Sequence, residues 1–193
     1  NSKEVIPTPG IIIFPEDENI KLHAGPTQSG GASKLWFCNL FNLTPLEMNK
    51  LVENENFNDV SPIFLPHLQG ERAPLWNPNL KGIFYGMNSK TNKGNLARSV
   101  YEGVSFSAKL ILESLEKSSS CINEEINCGG GGFQADIWNQ IRANILNKKI
   151  NRLSIKDPGI LGAVGIAGYG SRTFSSIDEA FNEMTSFDKF YEP

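Results

Sequence analysis

Histidine and cysteine are scarce in this sequence, with two and three copies among 193 residues. The histidines, His23 and His67, stand far apart, and the cysteines, Cys38, Cys121 and Cys128, form no Cys-x-x-Cys pair. This composition argues against a structural zinc site, and an odd number of irregularly spaced cysteines argues against a disulfide framework. We therefore expect reduced thiols, no metal ligands in the chain and a cytoplasmic protein.

A surplus of positive charge and a long apolar run are also missing. Lysine and arginine number 18 against 21 acidic residues, which gives a formal net charge of −3. Nothing in this balance favours binding to nucleic acid or to an anionic membrane. The longest apolar runs fall far short of the roughly 20 residues that cross a bilayer, and the opening NSKEVIPTPG lacks the apolar core of a secretion signal. We expect neither nucleic acid nor membrane among the partners.

Several familiar motifs do not occur. The sequence contains neither Gly-x-Gly-x-x-Gly nor Gly-x-x-x-x-Gly-Lys-Ser/Thr, so it predicts neither a Rossmann dinucleotide fingerprint nor a P-loop. No serine, histidine and aspartate stand in an order typical of a hydrolase. Hydrophobic residues make up 39% and charged residues 20%, as in a soluble globular protein with a sizeable core.

Short strands and capped helices are predicted in the first half of the chain. They are a strand at 11–14, a helix after Gly30 and Gly31, a helix from a capping box at 44–47 to about Asn54, and strand-like clusters at 64–65 and 83–85. In the capping box, Thr44 is the N-cap, Pro45 the first helical residue and Glu47 the return acceptor. The apolar face predicted for the first helix consists of Leu35, Trp36, Leu40 and Phe41.

The second half alternates strands with helices, which predicts an α/β layer structure. Its predicted elements are a helix capped by Asn95, strands at 124–128 and 148–154, and helices at 137–145, 158–170 and after a capping box at 176–179. The first of these helices carries one apolar stripe, Leu96, Val100, Val104, Ala108, Ile111 and Leu115. Gly103 lies inside that helix, where glycine costs up to ~1 kcal/mol relative to alanine, so we expect close packing against another backbone. We expect a single domain over 1–193.

Four consecutive glycines, 129–132, separate the strand at 124–128 from the next helix. A tight turn between strand and helix would explain them. A nucleotide would explain them equally well, because backbone N–H groups at a helix N-terminus favour an anion and glycines leave room for a flat ring. Both interpretations stay open from this stretch alone.

A second glycine-bearing loop, GPTQSGGAS at 25–33, also enters a helix through Gly30 and Gly31. Alone it is best explained as a plain helix start. Two such loops in one domain favour the interpretation that both face the same ligand.

Glu71 and Arg72 stand side by side in the otherwise apolar stretch GERAPLW. One of them could point into a cleft as a functional group. We favour a loop anchor in which Arg72 satisfies backbone carbonyls. We expect structural or surface roles for His23 and His67, and buried strand packing for Cys128.

The stretch GIFYGMNSKTNKGNLARSVYE, 82–102, closely resembles the second signature of the FGGY carbohydrate kinases. The preceding FLPHLQGERAPLWNPNLKG resembles the loop before that signature in xylulose and gluconate kinases, and its GERAPLWN part leans toward the gluconate kinases. INCGGGGFQADIWNQIRANIL resembles the family's adenine-binding loop and helix, and GILGAVGIAGYG the helix after it. The signature positions are filled by Gly82, Phe84, Gly86, Met87, Asn95, Leu96, Ser99, Val100 and Glu102.

The resemblance implies a C-terminal lobe of the actin-like ATPase (ribonuclease H-like) fold, incomplete at both ends. The family's catalytic aspartate and Gly-Thr-Ser phosphate loop would precede the chain, and its last helix would follow it. The chain alone would then hold no catalytic residue and would be inactive. The implied partners are the sugar-binding N-terminal lobe of the same kinase, ATP with Mg²⁺, ADP, and a xylulose-like or gluconate-like substrate.

The same resemblance assigns nucleotide contacts. Gly130, Gly131 and Gly132 match the adenine loop, and Gly30 and Gly31 match the loop beside the ribose and phosphates. The family often has Asn or Ser where this chain has Ala135, so a polar adenine contact is lost or passes to Gln134 or Asp136. Related glycerol kinases have Gln where this chain has Leu35.

Two alternatives remain beside a kinase that phosphorylates a sugar. A degenerate lobe would bind nucleotide without catalysis, and Ala135 and Leu35 favour this alternative. A purely structural lobe would instead self-associate as a homodimer. Phosphoryl transfer by the full-length protein distinguishes the first from a kinase, and stable dimers without ATP binding would support the second.

Overall fold

The computed structural model describes residues 6–16 and 21–193, and these residues have the α/β class that the sequence predicts. They pack into two compact units that divide between Asn123 and Glu124. From the sequence we also expect extended segments and turns over 1–22, and the part of this prediction on 1–5 and 17–20 lies outside the described residues. None of the described helices is long and apolar enough to cross a membrane.

The first unit is built around one long helix, α3. The elements in chain order are β1 (Ile12–Ile13), β2 (His23–Ala24), α1 (Gly31–Leu40), α2 (Pro45–Glu53), β3 (Ile63–Leu65), β4 (Ile83–Tyr85) and α3 (Lys93–Ser119). Strand β1 pairs antiparallel with β2, and β3 pairs antiparallel with β4. Helix α3 contacts α1, α2, β2 and β3, so its apolar face is the centre of this unit.

Helix α3 buries three members of the predicted stripe, Val100, Val104 and Ile111. It begins earlier than predicted, because its N-cap is Asn92 and not Asn95. The side chain of Asn92 accepts a hydrogen bond from the Asn95 backbone N–H at 2.9 Å, and the side chain of Asn95 accepts one from the Asn92 backbone N–H at 3.0 Å. The prediction was wrong because two asparagines three residues apart can both cap a helix, and the sequence does not say which comes first.

Gly103 marks the place where α3 touches β3, which confirms the close backbone packing that the sequence predicts. A Cβ atom at this position would overlap the carbonyl oxygen of Phe64 and lie 3.0 Å from its carbonyl carbon. Glycine is therefore required here by contact with another main chain, and the helix propensity that glycine loses is offset by this close packing.

Helix α1 is present as predicted, but its buried face is not the predicted one. Leu35 and Leu40 are more than half exposed, whereas Phe37 and Cys38 are buried. The adjacent aromatic residues Trp36 and Phe37 allow two alternative apolar stripes, and the sequence pattern does not choose between them.

The capping box of α2 is confirmed. The hydroxyl of Thr44 accepts a hydrogen bond from the Glu47 backbone N–H at 3.2 Å, and the Glu47 carboxylate accepts one from the Thr44 backbone N–H at 2.7 Å. The helix ends at Asn54 as its C-cap, as expected.

The second unit is a three-stranded sheet with helices. Its elements are β5 (Glu125–Cys128), a 3-10 turn (Gly131–Phe133), α4 (Asp136–Leu146), β6 (Lys149–Leu153), α5 (Pro158–Gly170), α6 (Ile177–Met184) and β7 (Phe187–Tyr191). Strand β6 lies in the middle, parallel to β5 and antiparallel to β7. Cys128, Ala143, Ile150 and Tyr191 form its buried apolar cluster. The sequence does not predict β7, whose residues are mostly exposed and become a strand by pairing with β6.

Helices α5 and α6 are present as predicted, but the packing of the small residues in α5 and the capping of α6 differ from the prediction. Among the small residues of α5, Gly165 and Gly168 do allow close approach, to the rings of Phe181 and Phe174. The prediction is wrong for the remaining three, which have open space or are exposed: Gly162, Ala163 and Ala167. Helix α6 begins at its N-cap Ser176, but the return hydrogen bond to Glu179 comes from Ser175.

Candidate functional site

The glycine stretch 129–132 leads from β5 into the 3-10 turn and α4, and its first two members are explained by the fold. A Cβ atom at Gly129 would lie 2.9 Å from Leu153 and 3.1 Å from Pro158. Gly130 has φ +96°, a backbone angle that residues with a side chain rarely adopt. Packing accounts for the first glycine and backbone geometry for the second.

Gly131 and Gly132 are explained by neither argument. No heavy atom lies within 4 Å of a Cβ built on Gly131, and only the Arg142 guanidinium comes that close at Gly132, at 3.8 Å. Neither residue has a φ in the left-handed region. Gly131 is exposed. The packing of the described residues therefore does not require glycine at Gly131.

Two polar residues of α4, Asn139 and Arg142, bind the backbone of the turn that contains Gly131 and Gly132. Both are buried. The amide of Asn139 donates to the Phe133 carbonyl at 2.8 Å, and the Arg142 guanidinium donates to the Gly132 carbonyl at 2.8 Å. Sequence analysis missed both residues. A signal was present in the sequence, because these two polar residues, three apart, directly follow the apolar residues Trp138 and Ile141, which are both buried.

The N-terminus of α4 is fixed by an ionic cluster. The carboxylate of Asp136 accepts hydrogen bonds from Lys189, from the Tyr191 hydroxyl at 2.7 Å and from Arg152 at 3.1 Å. Arg152 also forms a two-pronged pair with Asp188 at 2.6 and 2.8 Å. The hydrogen bond from Lys189, followed by that from Tyr191, keeps the pKa of Asp136 below its ordinary value. The Asp136 side chain is thus engaged in holding β7 to α4.

Beside this cluster, the other two residues expected at the edge of the ring differ in exposure. Ala135 is the N-cap of α4, is 4% exposed and makes no side-chain cap. Gln134 is exposed, and its amide donates to the Gly130 carbonyl at 3.5 Å. Gln134 and Asp136, the two residues named for a polar contact, are both exposed. The Asp136 carboxylate is already hydrogen bonded within the ionic cluster, so the Gln134 amide is the more available of the two.

Gly30 and Gly31 lie in the first unit at the start of α1. Gly30 is the N-cap, and no side chain caps this helix. No heavy atom lies within 4 Å of a Cβ built on either residue. These two glycines lie in the first unit and Gly130–Gly132 in the second. That both loops face one ligand stays a prediction.

The turn that precedes α1 is organised by Glu71. Its carboxylate accepts hydrogen bonds from the Ser29 hydroxyl at 2.6 Å, the Gln28 backbone N–H at 2.9 Å and the Thr27 hydroxyl at 3.0 Å. A fourth comes from the Arg72 backbone N–H at 2.8 Å. The anchor interpretation holds, with a correction: the anchor is the Glu71 carboxylate, whereas the Arg72 side chain that was expected to do this is exposed.

Burial raises the pKa of Glu71, but hydrogen bonds from Ser29, Gln28, Arg72 and Thr27 outweigh it and leave the pKa below its ordinary value. Because every donor is neutral, the carboxylate is held ionised by N–H and O–H dipoles. Such a group stabilises a loop and does not take up protons at neutral pH.

The two histidines and Cys128 have the structural roles predicted for them. The imidazole of His23 is hydrogen bonded to the Ser118 hydroxyl at 2.9 Å, and that of His67 lies 3.4 Å from the Glu71 carboxylate. Burial raises the pKa of Cys128 to about 11, so its thiol stays protonated and is a poor nucleophile. Within 6–16 and 21–193, no three His, Cys, Asp or Glu side chains cluster as metal ligands.

Comparison with protein families gives one match. The C-terminal domain of the FGGY family of carbohydrate kinases matches residues 41–171, which include α2–α4, the glycine stretch and all of α5. This match covers more than half of the chain.

Individual relatives agree with the family match. A xylulose kinase of Staphylococcus epidermidis is 29% identical over 171 residues, 88% of this chain and 34% of the relative. The crystal structure of a gluconate kinase from Lactobacillus acidophilus superposes with a TM-score of 0.84 at 30% identity, over 95% of this chain and 38% of that one. A Plasmodium falciparum glycerol kinase structure with ADP shares the fold, with a TM-score of 0.83 at 24% identity over 99% of this chain and 39% of that one. The chain spans about a third of the length of the curated relatives that it matches.

Proposed function

Because the chain belongs to the FGGY family of carbohydrate kinases, we propose that it is the ATP-binding C-terminal lobe, over 1–193, of a kinase that phosphorylates a sugar or sugar acid. The kinase transfers the γ-phosphoryl group of ATP to a hydroxyl of a xylulose-like or gluconate-like substrate. The sugar binds mainly to an N-terminal lobe of the same protein. Relatives named for xylulose and for gluconate support both substrate classes.

One observation supports the nucleotide site more than the others. Gly131 is a glycine that the fold does not require, on an exposed turn directly ahead of a helix. A flat ring pressed against the backbone is a reason to exclude a side chain there. In this proposal the adenine lies on Gly130, Gly131 and Gly132, with Gln134 and Ala135 at its edge.

The phosphates and ribose are assigned to the other glycine loop. Gly30 and Gly31 leave the N-terminus of α1 open, and backbone N–H groups there attract negative charge. Mg²⁺ arrives bound to the ATP phosphates, a mode that this ion prefers to an all-protein cage. Catalysis then comes from positioning and from charge stabilisation around the transferred group.

The proposed reaction predicts ADP release that depends on the sugar. With the full-length kinase and Mg-ATP, we expect xylulose or gluconate to stimulate ADP formation at least about tenfold over the rate without sugar, because water is a poorly positioned acceptor. A coupled assay for ADP, with glycerol as a third acceptor, gives the measurement. If the protein binds ATP but releases no ADP with any of these sugars, the result would instead support a degenerate, non-catalytic lobe. The buried Ala135 and the exposed Leu35 favour this alternative.

Replacement of Gly131 with valine tests the ring site. We expect the KM for ATP of the full-length kinase to rise about tenfold, roughly 1.4 kcal/mol of binding, with little change in the KM for the sugar. The melting temperature should stay within a few degrees, because the space at Gly131 is open. Gly129→Ala is the contrasting variant, since its side chain meets Leu153 and Pro158 and should lower the melting temperature. An unchanged KM for ATP in folded Gly131→Val contradicts the ring site.

A further inference from the structure

Arg142 lies directly behind the glycine turn and is only 7% exposed. Its guanidinium donates to the Gly132 carbonyl at 2.8 Å and to the Asn139 side-chain oxygen at 3.0 Å. The guanidinium carbon lies 3.9 Å from the centre of the Trp138 ring and 4.2 Å from that of Phe133. Burying a cation is unfavourable unless such contacts compensate for it, so this arrangement holds a defined geometry and does not simply fill space.

The contacts act on consecutive peptide groups. Arg142 holds the Gly132 carbonyl and Asn139 holds the Phe133 carbonyl, so both oxygens are turned toward α4. The Gly130 carbonyl accepts the Phe133 backbone N–H at 3.1 Å, which closes the turn. Four glycines in a row would otherwise sample many backbone conformations. A turn with its carbonyls fixed on one side presents a single defined surface on the other.

We propose, on the basis of the function proposed above, that Arg142 is a positioning residue for the nucleotide. It fixes the backbone of Gly131 and Gly132 in the shape that receives the adenine, and it does so without touching the ligand. ATP then binds more strongly, because the glycine turn loses less conformational entropy when the adenine ring docks on it. The guanidinium suits this role because one terminal nitrogen, Nη1, donates to both oxygens while the planar group packs against the Phe133 and Trp138 rings. The ammonium group of a lysine can do only part of this.

The test compares Arg142→Met, which keeps the apolar stem, with Arg142→Lys, which keeps the charge. In the full-length kinase we expect Arg142→Met to raise the KM for ATP at least fivefold, with kcat within twofold and the KM for the sugar unchanged. Arg142→Lys should restore part of the affinity and is the informative variant if Arg142→Met does not fold. Arg172→Met, at an exposed residue of the same unit, is the matched control and should change nothing.

Amide hydrogen exchange gives a second readout that does not depend on ATP. We expect exchange of the Phe133 amide, which donates to the Gly130 carbonyl at 3.1 Å, to be at least tenfold faster in Arg142→Met, with the sheet amides unchanged. If the wild-type kinase binds ATP, and a folded Arg142→Met binds it equally well, the positioning role is wrong and the proposed function stands. If the wild type does not bind ATP, the proposed function is wrong and the positioning role falls with it.

Discussion

Replacing Gly103 with alanine is expected to lower the free energy of unfolding by about 3 kcal/mol, at the upper end of what overpacking usually costs. The new methyl group would overlap the Phe64 carbonyl oxygen, which belongs to the main chain of β3 and cannot rotate away. Helix α3 and β3 would have to move apart. Trp36 stacks on the Phe64 ring at 5.8 Å, so tryptophan fluorescence during urea unfolding reports on this contact.

Gly162→Ala is the matched control for this prediction. Gly162 also lies inside a helix, α5, but no heavy atom lies within 4 Å of a Cβ built there. Alanine should be neutral at this position or stabilising by up to about 1 kcal/mol, because it removes the propensity cost of glycine. Equal effects of the two substitutions would show that the close approach at Gly103 is not what requires glycine.

Replacing Glu71 with glutamine is expected to lower stability by a similar amount, about 3 kcal/mol. Glu71 is 4% exposed, and its carboxylate accepts hydrogen bonds from Thr27, Gln28, Ser29 and Arg72. Hydrogen bonds to an ionised acceptor contribute about 1.5–3 kcal/mol each. Glutamine keeps one acceptor oxygen and turns an NH₂ group toward donors, so part of this network is lost.

The difference in the free energy of unfolding between wild type and Glu71→Gln should become smaller at low pH. The pKa of Glu71 in the folded protein lies below its ordinary value of 4.5. The stabilisation is therefore complete above about pH 5 and is lost as the pH falls through the folded-state pKa. Urea unfolding of wild type and Glu71→Gln between pH 7 and pH 3 measures this. The difference in their free energies of unfolding should decrease below about pH 4.5.

Glu113→Gln, at an exposed residue of α3, is the control for Glu71→Gln and should change stability by no more than about 0.5 kcal/mol. A gap between wild type and Glu71→Gln that stays constant down to pH 3 would show that the ionised carboxylate is not the source of the stability.

Features that depend on neighbouring residues could be predicted from the sequence. The capping box at Thr44 and Glu47 lies within four residues, and the structure contains both of its hydrogen bonds. The mid-helix glycine, Gly103, was interpretable because the loss of helix propensity needs a compensating contact. The α/β alternation of the second half also follows from local periodicity.

Features that depend on distant partners could not be predicted in this way. Strand β7 exists because it pairs with β6, about 40 residues earlier in the chain. Helix α1 buries Phe37 and not Leu35 because of what packs against it. The roles of Arg142 and Asn139 depend on which carbonyls the folded glycine turn presents, and that information is tertiary.

The anchor at Glu71 has a consequence for local unfolding. One carboxylate holds its own turn, through Arg72, and the turn before α1, through Gln28, which lies 43 residues away. Neither turn can leave its folded conformation without breaking contacts that the other also needs. The two therefore open as one cooperative unit, with a shared opening free energy, and do not fray independently. The glycine-bearing entrance to α1 therefore opens only together with a loop 43 residues later in the chain, to which the Glu71 side chain ties it.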